Sequence, residues 1–341
     1  MPGLTFRAYR GPEDFPGMVA VYNACRPVDG YDWPTSVEDL ARSFSHLDHC
    51  DPHRDMVFAE VSGETIAYGR GAWYREPGGA YLHQLYGHVA PAWRRRGIGR
   101  AILRWTEARQ RQVASEQAEK GPHLFQLETM DSEQGMAELL LSEGYTVVRR
   151  WHQMTRPLDD EIPDAPLPDG LEVRPVTPDQ YPRIWAADIE AFRDHWGFAE
   201  PLAEAYQEWL EDPVAMMSAL WQIAWDGDQV AGQVRSFINH QENAGMGRQR
   251  GYTESISVRR PWRRRGLAHA LIMRSLRILK EQGMAEAALG VDTENVSGAL
   301  RLYERCGFRP AAGGSVYRKP FELGELSASS TRQRIRRDLT D

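Results

Sequence analysis

The chain has 341 residues, which is long for one compact core and suits two domains of ordinary size. Its composition, 42% hydrophobic and 26% charged, is that of a globular protein and excludes a disordered chain. The formal net charge of -7 excludes a nucleic-acid binder that depends on a basic surface.

The three cysteines, Cys25, Cys50 and Cys306, stand far apart and outside any C-x-x-C spacing, so neither a disulfide framework nor a metal site is expected. The first residues lack the basic and then apolar order of a secretory signal, and an apolar run of about 18 residues does not occur. We therefore expect a cytoplasmic protein, a monomer or homodimer, without metal, membrane or nucleic-acid partners.

The chain contains two copies of one unit, since the motif WRRRG occurs at 93–97 and again at 262–266. The similarity extends over VAPAWRRRGIGRAIL from Val89 and VRRPWRRRGLAHALI from Val258, and it returns in LLLSEGY at 139–145 and LYERCGF at 302–308. A proline-rich acidic segment between the copies predicts a stiff, extended linker. The predicted organisation is an N-terminal domain (1–156), a linker (157–170), a C-terminal domain (171–322) and a polar tail (323–341).

Within each copy, taken in chain order, the pattern predicts a strand, a helix at about 14–24 or 178–192, and a hairpin with its turn at 62–64 or 226–228. A β-rich stretch follows and ends at Val89 or Val258, directly before the arginine-glycine turn. In the second copy, helical spacing of apolar residues from Ala268 to Leu279 predicts the next helix. A strand at about 285–291 and a helix at about 297–306 close the unit.

Each arginine-glycine turn precedes a helix, and the unpaired N–H groups and positive dipole end of a first helical turn favour an anion. Glycine or alanine at 97, 99, 266 and 268 lets a phosphate approach those N–H groups. The three adjacent arginines repel one another unless an anion neutralises them, so a pyrophosphate is expected. The alternative is a solvated charged face. A Walker-type loop and a G-x-G-x-x-G turn are excluded because the required residues do not follow.

The segments RRRGIG at 94–99 and RRRGLA at 263–268 resemble the [Gln/Arg]-x-x-Gly-x-[Gly/Ala] signature of the GNAT acyltransferase superfamily. NVSGALRLYERCGF, from Asn295, resembles that family's later Asn-x-x-x-Ala-x-x-x-Tyr-x-x-x-Gly-Phe motif. The resemblance implies an α/β fold of the α+β kind with two tandem GNAT-type units, each a mixed, mostly antiparallel central sheet flanked by helices. It also implies acetyl-CoA (CoA) as cofactor.

The cofactor-binding residues implied by this resemblance lie on the strand before each loop, in the loop and at the helix start. In the second copy they are Ile256, Ser257, Val258, Arg263, Arg264, Arg265, Gly266, Leu267, Ala268, His269 and the more distant Asn295. In the first copy they are Val89, Arg94, Arg95, Arg96, Gly97, Ile98, Gly99 and Arg100.

The second copy carries the candidate general acid, Tyr303, at the position that the family uses for this role. Tyrosine suits the role because its ordinary pKa lies above the roughly 8.5 of a thiol, so its hydroxyl stays protonated and can offer a proton to the sulfur as it departs. The matching residue of the first copy is Leu140, which cannot donate a proton, and Asn295 is matched by Ser132. We therefore expect the C-terminal domain to be catalytic, although another acid in the first copy stays open. The alternative for Tyr303 is a ring packed on the sheet with its hydroxyl in water.

The candidate general base is Glu254, because strand alternation puts Tyr252, Glu254 and Ile256 on one face. The commonest family position would be 252, and the alternative is a strand glutamate that points at water. The first copy offers His83 at the position of Tyr252, although a lone histidine is more often structural.

Asp194, His195 and Trp196 lie where the family builds its acceptor pocket, or else form a loop anchored by buried aromatic residues. The leading hypothesis is an N-acetyltransferase that transfers an acetyl group from acetyl-CoA to the primary amine of a small molecule by direct attack. Two alternatives stay open: a non-catalytic CoA-binding sensor or scaffold, and a protein or peptide N-acetyltransferase.

Overall fold

The computed structural model describes residues 1–31, 34–76, 78–117, 121–201, 203–295 and 298–323. The described residues form two compact units: unit 1 contains those of 1–148 and 315–323, and unit 2 contains those of 149–314. Each unit therefore includes a segment from outside its own half of the sequence.

The first half of the chain combines helices and strands. In chain order its elements are β1 (Leu4–Arg7), α1 (Phe15–Asp29), α2 (Val37–Ser45), α3 (Pro52–Asp55), β2 (Met56–Val61), β3 (Glu64–Arg75), β4 (Tyr81–Val89), α4 (Ile98–Ser115), β5 (His123–Met130), α5 (Gln134–Ser142) and β6 (Thr146–Pro157).

The second half has a similar order, but in its described residues two α-helices rather than three precede the hairpin, and a further helix lies before its central strand. Its elements are β7 (Glu172–Val173), α6 (Tyr181–Phe192), α7 (Ala203–Glu211), β8 (Gln222–Asp226), β9 (Gln229–Phe237), α8 (His240–Met246), β10 (Arg250–Val258), α9 (Leu267–Glu281), β11 (Glu286–Asp292), α10 (Ala299–Arg305) and β12 (Arg309–Phe321).

The two sheets have the same topology. In unit 1 the strand order is β1–β2–β3–β4–β5–β12, with β4 and β5 parallel and the pairs from β1 to β4 antiparallel. In unit 2 the order is β7–β8–β9–β10–β11–β6, with β10 and β11 parallel and the other pairs antiparallel. The predicted mixed, mostly antiparallel sheet flanked by helices is confirmed.

Helices α6 and α9 cover opposite faces of the sheet of unit 2. Arg235 of β9 bonds to Asp188 of α6, whereas its neighbour Ser236 bonds to Ser275 of α9. Consecutive strand residues point to opposite faces, so the helices must lie on either side. Helix α9 packs closely because Gly251 has no side chain: a Cβ at that position would meet a methyl group of Leu279 at 2.5 Å.

The last strand of each sheet comes from a distant part of the sequence. In unit 2, β6 pairs with β11 from Pro157 opposite Glu286 to Trp151 opposite Asp292. In unit 1, the Phe321 ring of β12 stacks on Phe125 at a centroid distance of 4.1 Å. Residues 149–156 thus lie in unit 2 and residues from 315 in unit 1, a difference from the predicted domain boundaries at 156 and 171. The physical reason is that β5 and β11 each have an edge whose backbone groups require a partner strand.

The predicted linker at 157–170 packs onto unit 2 and is not solvated throughout. Leu158 and Ala165 are buried in the core that contains α9. The segment is irregular after Pro157, in agreement with its prolines. Of the predicted tail at 323–341, residues 324–341 lie outside the described residues. None of the helices in the described ranges has the length and apolar character needed to cross a bilayer.

Replacing Phe321 with alanine tests whether the last strand completes the core of unit 1. Phe321 is 9% exposed, so Phe321→Ala should reduce the free energy of unfolding by about 3–5 kcal/mol, measured by urea denaturation. Leu323→Ala is the matched control, since Leu323 is 45% exposed and its loss should have little effect. Equal stability of the two variants would contradict the assignment of this strand to the core.

Candidate active site

The two arginine-glycine loops fold alike and lead into helices α4 and α9. In each loop the second arginine and the glycine have left-handed backbones, with φ of 61° at Arg95, 62° at Arg264, 84° at Gly97 and 85° at Gly266. Within the described chain, no side chain caps the first turn of either helix. The backbone N–H groups at the start of α4 and α9 therefore remain available to an anion.

The first arginine of each triplet holds the loop together, which differs from its predicted contact with a phosphate. Nε of Arg94 donates to the Val89 carbonyl at 2.9 Å, and its two terminal nitrogens bind the Asp29 carboxylate at 2.6 Å. In unit 2, Nε of Arg263 donates to the Val258 carbonyl at 2.9 Å and Nη1 binds Asp194 at 2.8 Å. Each guanidinium group therefore links its loop to an aspartate, which lies at the end of α1 in unit 1 and shortly after α6 in unit 2.

Asp194 was predicted to line the acceptor pocket, but its carboxylate is occupied by two arginines. Hydrogen bonds from Arg260 and then from Arg263 hold the pKa of Asp194 well below its ordinary range. Asp29 takes the same place in unit 1 and was missed by the sequence analysis. The signal was available, because an aspartate follows the apolar part of the first helix in both copies.

The other loop side chains are more exposed. Arg95 pairs with Glu138 at 2.7 Å, Arg96 lies over the Trp93 ring at 4.9 Å, and Arg265 donates to the Asp169 carbonyl at 3.2 Å. Arg264, Arg100, Gly97 and Gly266 are exposed, and Gly99, Ala268 and His269 are half-buried. Ile98 and Leu267 are 2% and 1% exposed, so at the surface they can contribute only backbone N–H groups.

Strand β10 contains a bulge immediately before the loop. Glu254 lies opposite Arg235, but the next pair is Ser257 opposite Gln233, so β10 has one extra residue. Ser255 within this bulge has a left-handed φ of 48°. In unit 1 the corresponding strands pair in one unbroken register from Ala67 opposite Val89 to Arg75 opposite Tyr81.

The extra residue changes which residues correspond in the two copies. Counted from the pairs that contain Val89 and Val258, Arg70 occupies the place of Arg235. Arg70 lies opposite Tyr86, so Tyr86 occupies the place of Glu254. The same register puts Gln84, and not the predicted His83, at the position of Tyr252. An ungapped comparison of the sequences cannot detect a one-residue bulge.

Strands β10 and β11 pair only over their first residues. Their parallel pairs run from Arg250 opposite Glu286 to Tyr252 opposite Ala288, and no further pair between them occurs among the described residues. Beyond this point the Glu254 carboxylate accepts a hydrogen bond from the Gly290 backbone N–H at 3.2 Å. Burial raises the pKa of Glu254 to about 7. This carboxylate can exchange a proton near neutral pH.

Tyr303 lies on α10 and is 7% exposed. Burial, and then the negative charge of Glu254, raise the pKa of its hydroxyl above the ordinary value, so the group is protonated at neutral pH. The hydroxyl has no hydrogen-bond partner within the described part of the chain, which leaves it free to donate. Leu140, its counterpart in unit 1, is fully buried in the core.

The remaining predicted residues fall into three environments. Ser257 is buried and Ile256, Val258 and Val89 are half-buried on the strands before the loops. Asn295 forms a turn before α10, its N–H donating to the Asp292 carbonyl at 3.2 Å, whereas Ser132 donates to the Asp29 carbonyl. His195 and Trp196 are exposed after α6, with the His195 ring 4.4 Å from that of Phe192 and Arg149 over Trp196 at 5.0 Å.

His83 is a buried structural histidine. Its ring nitrogens lie 2.9 Å from the Gln110 side-chain oxygen and 3.0 Å from His123, and burial lowers its pKa to about 4. The structural alternative for this residue is therefore confirmed.

A groove of about 700 Å³ runs along the loop of unit 1. Its walls include Val89, the segment from Ser132 to Met136 before and within α5, and five residues of the loop and helix start: Arg94, Arg95, Gly97, Gly99 and Arg100. Unit 1 thus retains a concave surface at its uncapped helix start.

The model of the acetyltransferase (GNAT) family matches residues 18–138 and 181–308. The chain therefore belongs to the GNAT acetyltransferase family, contains its domain twice, and is an acyltransferase. Both the predicted repeat and the predicted family are confirmed.

The tandem order of two GNAT-type units in the sequence resembles that of mycothiol synthases. In agreement with this resemblance, the relatives of the chain include enzymes named mycothiol acetyltransferase. The chain is 32% identical to the enzyme of Salinispora tropica over 64% of this chain and 67% of that protein. It is 27% identical to the enzyme of Geodermatophilus obscurus over 87% of this chain and 91% of that protein.

Solved structures show the same fold. A GNAT-family N-acetyltransferase from Sphaerobacter thermophilus is 26% identical, covers 94% of this chain and 96% of its own, and superposes with a TM-score of 0.70. A tandem GNAT protein from the clavulanic acid biosynthesis pathway is 16% identical, with coverage of 95% and 100% and a TM-score of 0.67. The tandem two-unit architecture is thus shared.

Proposed function

We propose that this protein is an N-acetyltransferase in which unit 2 transfers the acetyl group of acetyl-CoA to the primary amine of a small molecule. The observation that carries the proposal is the combination of Glu254, with a pKa near neutrality, and a protonated Tyr303 whose pKa responds to the charge of Glu254. Unit 1 has Tyr86 and Leu140 at these positions, so only unit 2 offers the pair.

The residues of unit 2 suit the binding of acetyl-CoA. The uncapped N–H groups of Leu267, Ala268 and His269, with the exposed Arg264 and Arg265, would hold its pyrophosphate. The part of β10 from Ile256 to Val258, which returns to pairing with β9 at Ser257 but has no pair on β11 among the described residues, would hold the pantetheine arm through backbone hydrogen bonds on its β11 side. Arg263 would contribute indirectly, by fixing the loop.

Acetyl-CoA supplies a thioester carbon that is open to attack by a neutral amine. Glu254 accepts the proton that the amine nitrogen loses as the new C–N bond forms, directly or through a water. Tyr303 donates its proton to the sulfur as the C–S bond breaks, so that CoA leaves as a thiol. Transfer of one proton to Glu254 and one from Tyr303 balances the reaction, and exchange with solvent restores both groups.

The acceptor and the role of unit 1 form the second part of the proposal. Relatives named for mycothiol acetylation support a small-molecule acceptor over a protein. His195 and Trp196, exposed after α6, would contact it, whereas Asp194 would position the loop. Unit 1 would bind a CoA-like ligand without reaction, since its groove retains Arg95, Gly97, Gly99 and Arg100.

Replacing Tyr303 with phenylalanine tests the general acid. Tyr303→Phe removes only the hydroxyl, so kcat should fall by roughly 10²- to 10⁴-fold with little change in KM for acetyl-CoA. The measurement is thiol release with a panel of amines, and Tyr86→Phe in unit 1 is the control. A Tyr303→Phe enzyme with the kcat of the wild type would refute the role of Tyr303 as general acid.

The pH dependence of the rate tests the general base. Because Glu254 must be deprotonated to accept a proton and burial raises its pKa to about 7, kcat/KM should rise with pH through a midpoint near 7. Glu254→Gln should lower kcat and abolish this rise. A wild-type profile in Glu254→Gln would show that another group titrates.

Placing a carboxylate in the loop tests the phosphate site. Gly266→Glu should abolish CoA binding to unit 2 in calorimetry, because the negative charge lies where a phosphate would bind. Gly266→Ala is the control, since it carries the same cost of a left-handed backbone without the charge. Gly97→Glu makes the same change in unit 1. The number of CoA-binding sites that each variant loses shows how many ligands the wild type binds and in which unit. Unchanged affinity in Gly266→Glu would exclude the loop as the pyrophosphate site.

A further inference from the structure

A buried polar cluster lies between α6 and the bulge of β10. Asp188 of α6 accepts hydrogen bonds from Arg235 at 2.6 Å, from Gln233 at 2.8 Å and from the Ser257 hydroxyl at 3.0 Å. Arg235 also donates to the Ser255 hydroxyl at 2.7 Å. One ion pair thus bonds to two serines of the bulged segment.

The ion pair is shielded from water. Arg235 is 9% exposed, and its guanidinium group lies 5.0 Å from the centre of the Trp209 ring. A buried ion pair has a large desolvation cost, and breaking one partner leaves an uncompensated charge. Its contacts are therefore fixed more firmly than those of an exposed pair.

The bulge requires such support. Ser255 has a left-handed φ of 48°, which is unfavourable for a residue with a Cβ. Its hydroxyl bond to Arg235 and the bond of Ser257 to Asp188 hold both sides of the extra residue. Glu254 is the residue immediately before Ser255, so the direction of its side chain depends on this conformation.

Unit 1 provides an internal comparison. Asn23 is the counterpart of Asp188 in unit 1. It precedes Asp29 by the same spacing as Asp188 precedes Asp194, and each of these aspartates binds the first arginine of its loop. Asn23 bonds to the Thr35 backbone, and Arg70 lies over the Tyr86 ring at 4.7 Å. The acid is absent at this position, and β4 has no bulge.

We propose that Asp188 and Arg235 are positioning residues: through Ser255 and Ser257 they fix the bulge of β10 and so hold the Glu254 carboxylate against β11. This inference rests on the proposed role of Glu254 as general base. The cluster itself does not contact the reacting atoms.

The test compares kcat, KM and the pH profile in Ser255→Ala and Asp188→Asn. Ser255→Ala removes the hydroxyl that bonds to Arg235 but keeps the Cβ that makes the left-handed backbone unfavourable, so kcat should fall by roughly 10- to 100-fold, as expected for a misplaced catalytic group. The midpoint of kcat/KM should move below 7, because a released Glu254 returns to water. Ser236→Ala is the matched control: it also removes a buried serine bond, to Ser275 at 2.6 Å, but on the opposite face of the sheet. Its kcat and midpoint should remain those of the wild type.

A double variant separates positioning from folding. Asp188→Asn leaves Arg235 charged and unpaired, whereas Asp188→Asn with Arg235→Gln removes both charges. The double variant should regain thermal stability but not kcat. Wild-type kcat and midpoint in Ser255→Ala, or in the double variant, would overturn the inference. If Glu254→Gln is inactive while these variants are fully active, the positioning role alone fails; if Glu254→Gln is fully active, the proposed base itself is wrong.

Discussion

The pairing of β10 with β11 ends after three residues, although both strands continue. In a regular sheet the backbone N–H and C=O groups of neighbouring strands bond to one another. Beyond this point, the described residues of β10 and β11 do not form such pairs. The Glu254 carboxylate accepts one of these N–H groups, and Tyr303 lies close enough for its pKa to respond to that charge. A break in a hydrogen-bonded ladder, which is a cost elsewhere in a protein, here leaves the two strands without mutual pairing next to two titratable groups.

The two units show which parts of this arrangement belong to the fold and which to the chemistry. Both retain the left-handed loop, the uncapped helix and an arginine bound to an aspartate from the preceding helix region. Only unit 2 combines the bulge with an acid on α6 and a tyrosine on α10. The loop is thus maintained by its own ion pair, independently of whether the neighbouring side chains can catalyse a reaction.

Much of the fold could be predicted from the sequence because its signals are local. The repeat located both loops, the turns at Gly63 and Gly227 marked both hairpins, and the apolar spacing after Ala268 predicted α9. The exchange of β6 and β12 could not be predicted in this way, because strand pairing across more than a hundred residues leaves no local pattern. The one-residue bulge likewise leaves no mark in the sequence, and it displaced the expected match of His83 with Tyr252.

The electrostatics of the candidate site differ from those that the sequence predicts. Three adjacent arginines suggested one shared anion, but Arg94 and Arg263 are bound to carboxylates that lie far from them in the sequence. Asp194 was grouped with its neighbours His195 and Trp196, yet its partner is the loop. The sequence shows which residues are charged, but it does not show which oppositely charged residue each one binds when the two lie far apart in the chain.

Because β6 belongs to the sheet of unit 2 and β12 to that of unit 1, the two sheets can be completed only in a fixed order during translation. The segment that completes unit 2 precedes it in the chain, so every strand of that sheet has emerged once β11 is translated. The segment that completes unit 1 begins at Ser315, after the whole of unit 2. The nascent N-terminal sheet must therefore keep one edge open until β12 has been translated, and the unit that is made first is the last to close.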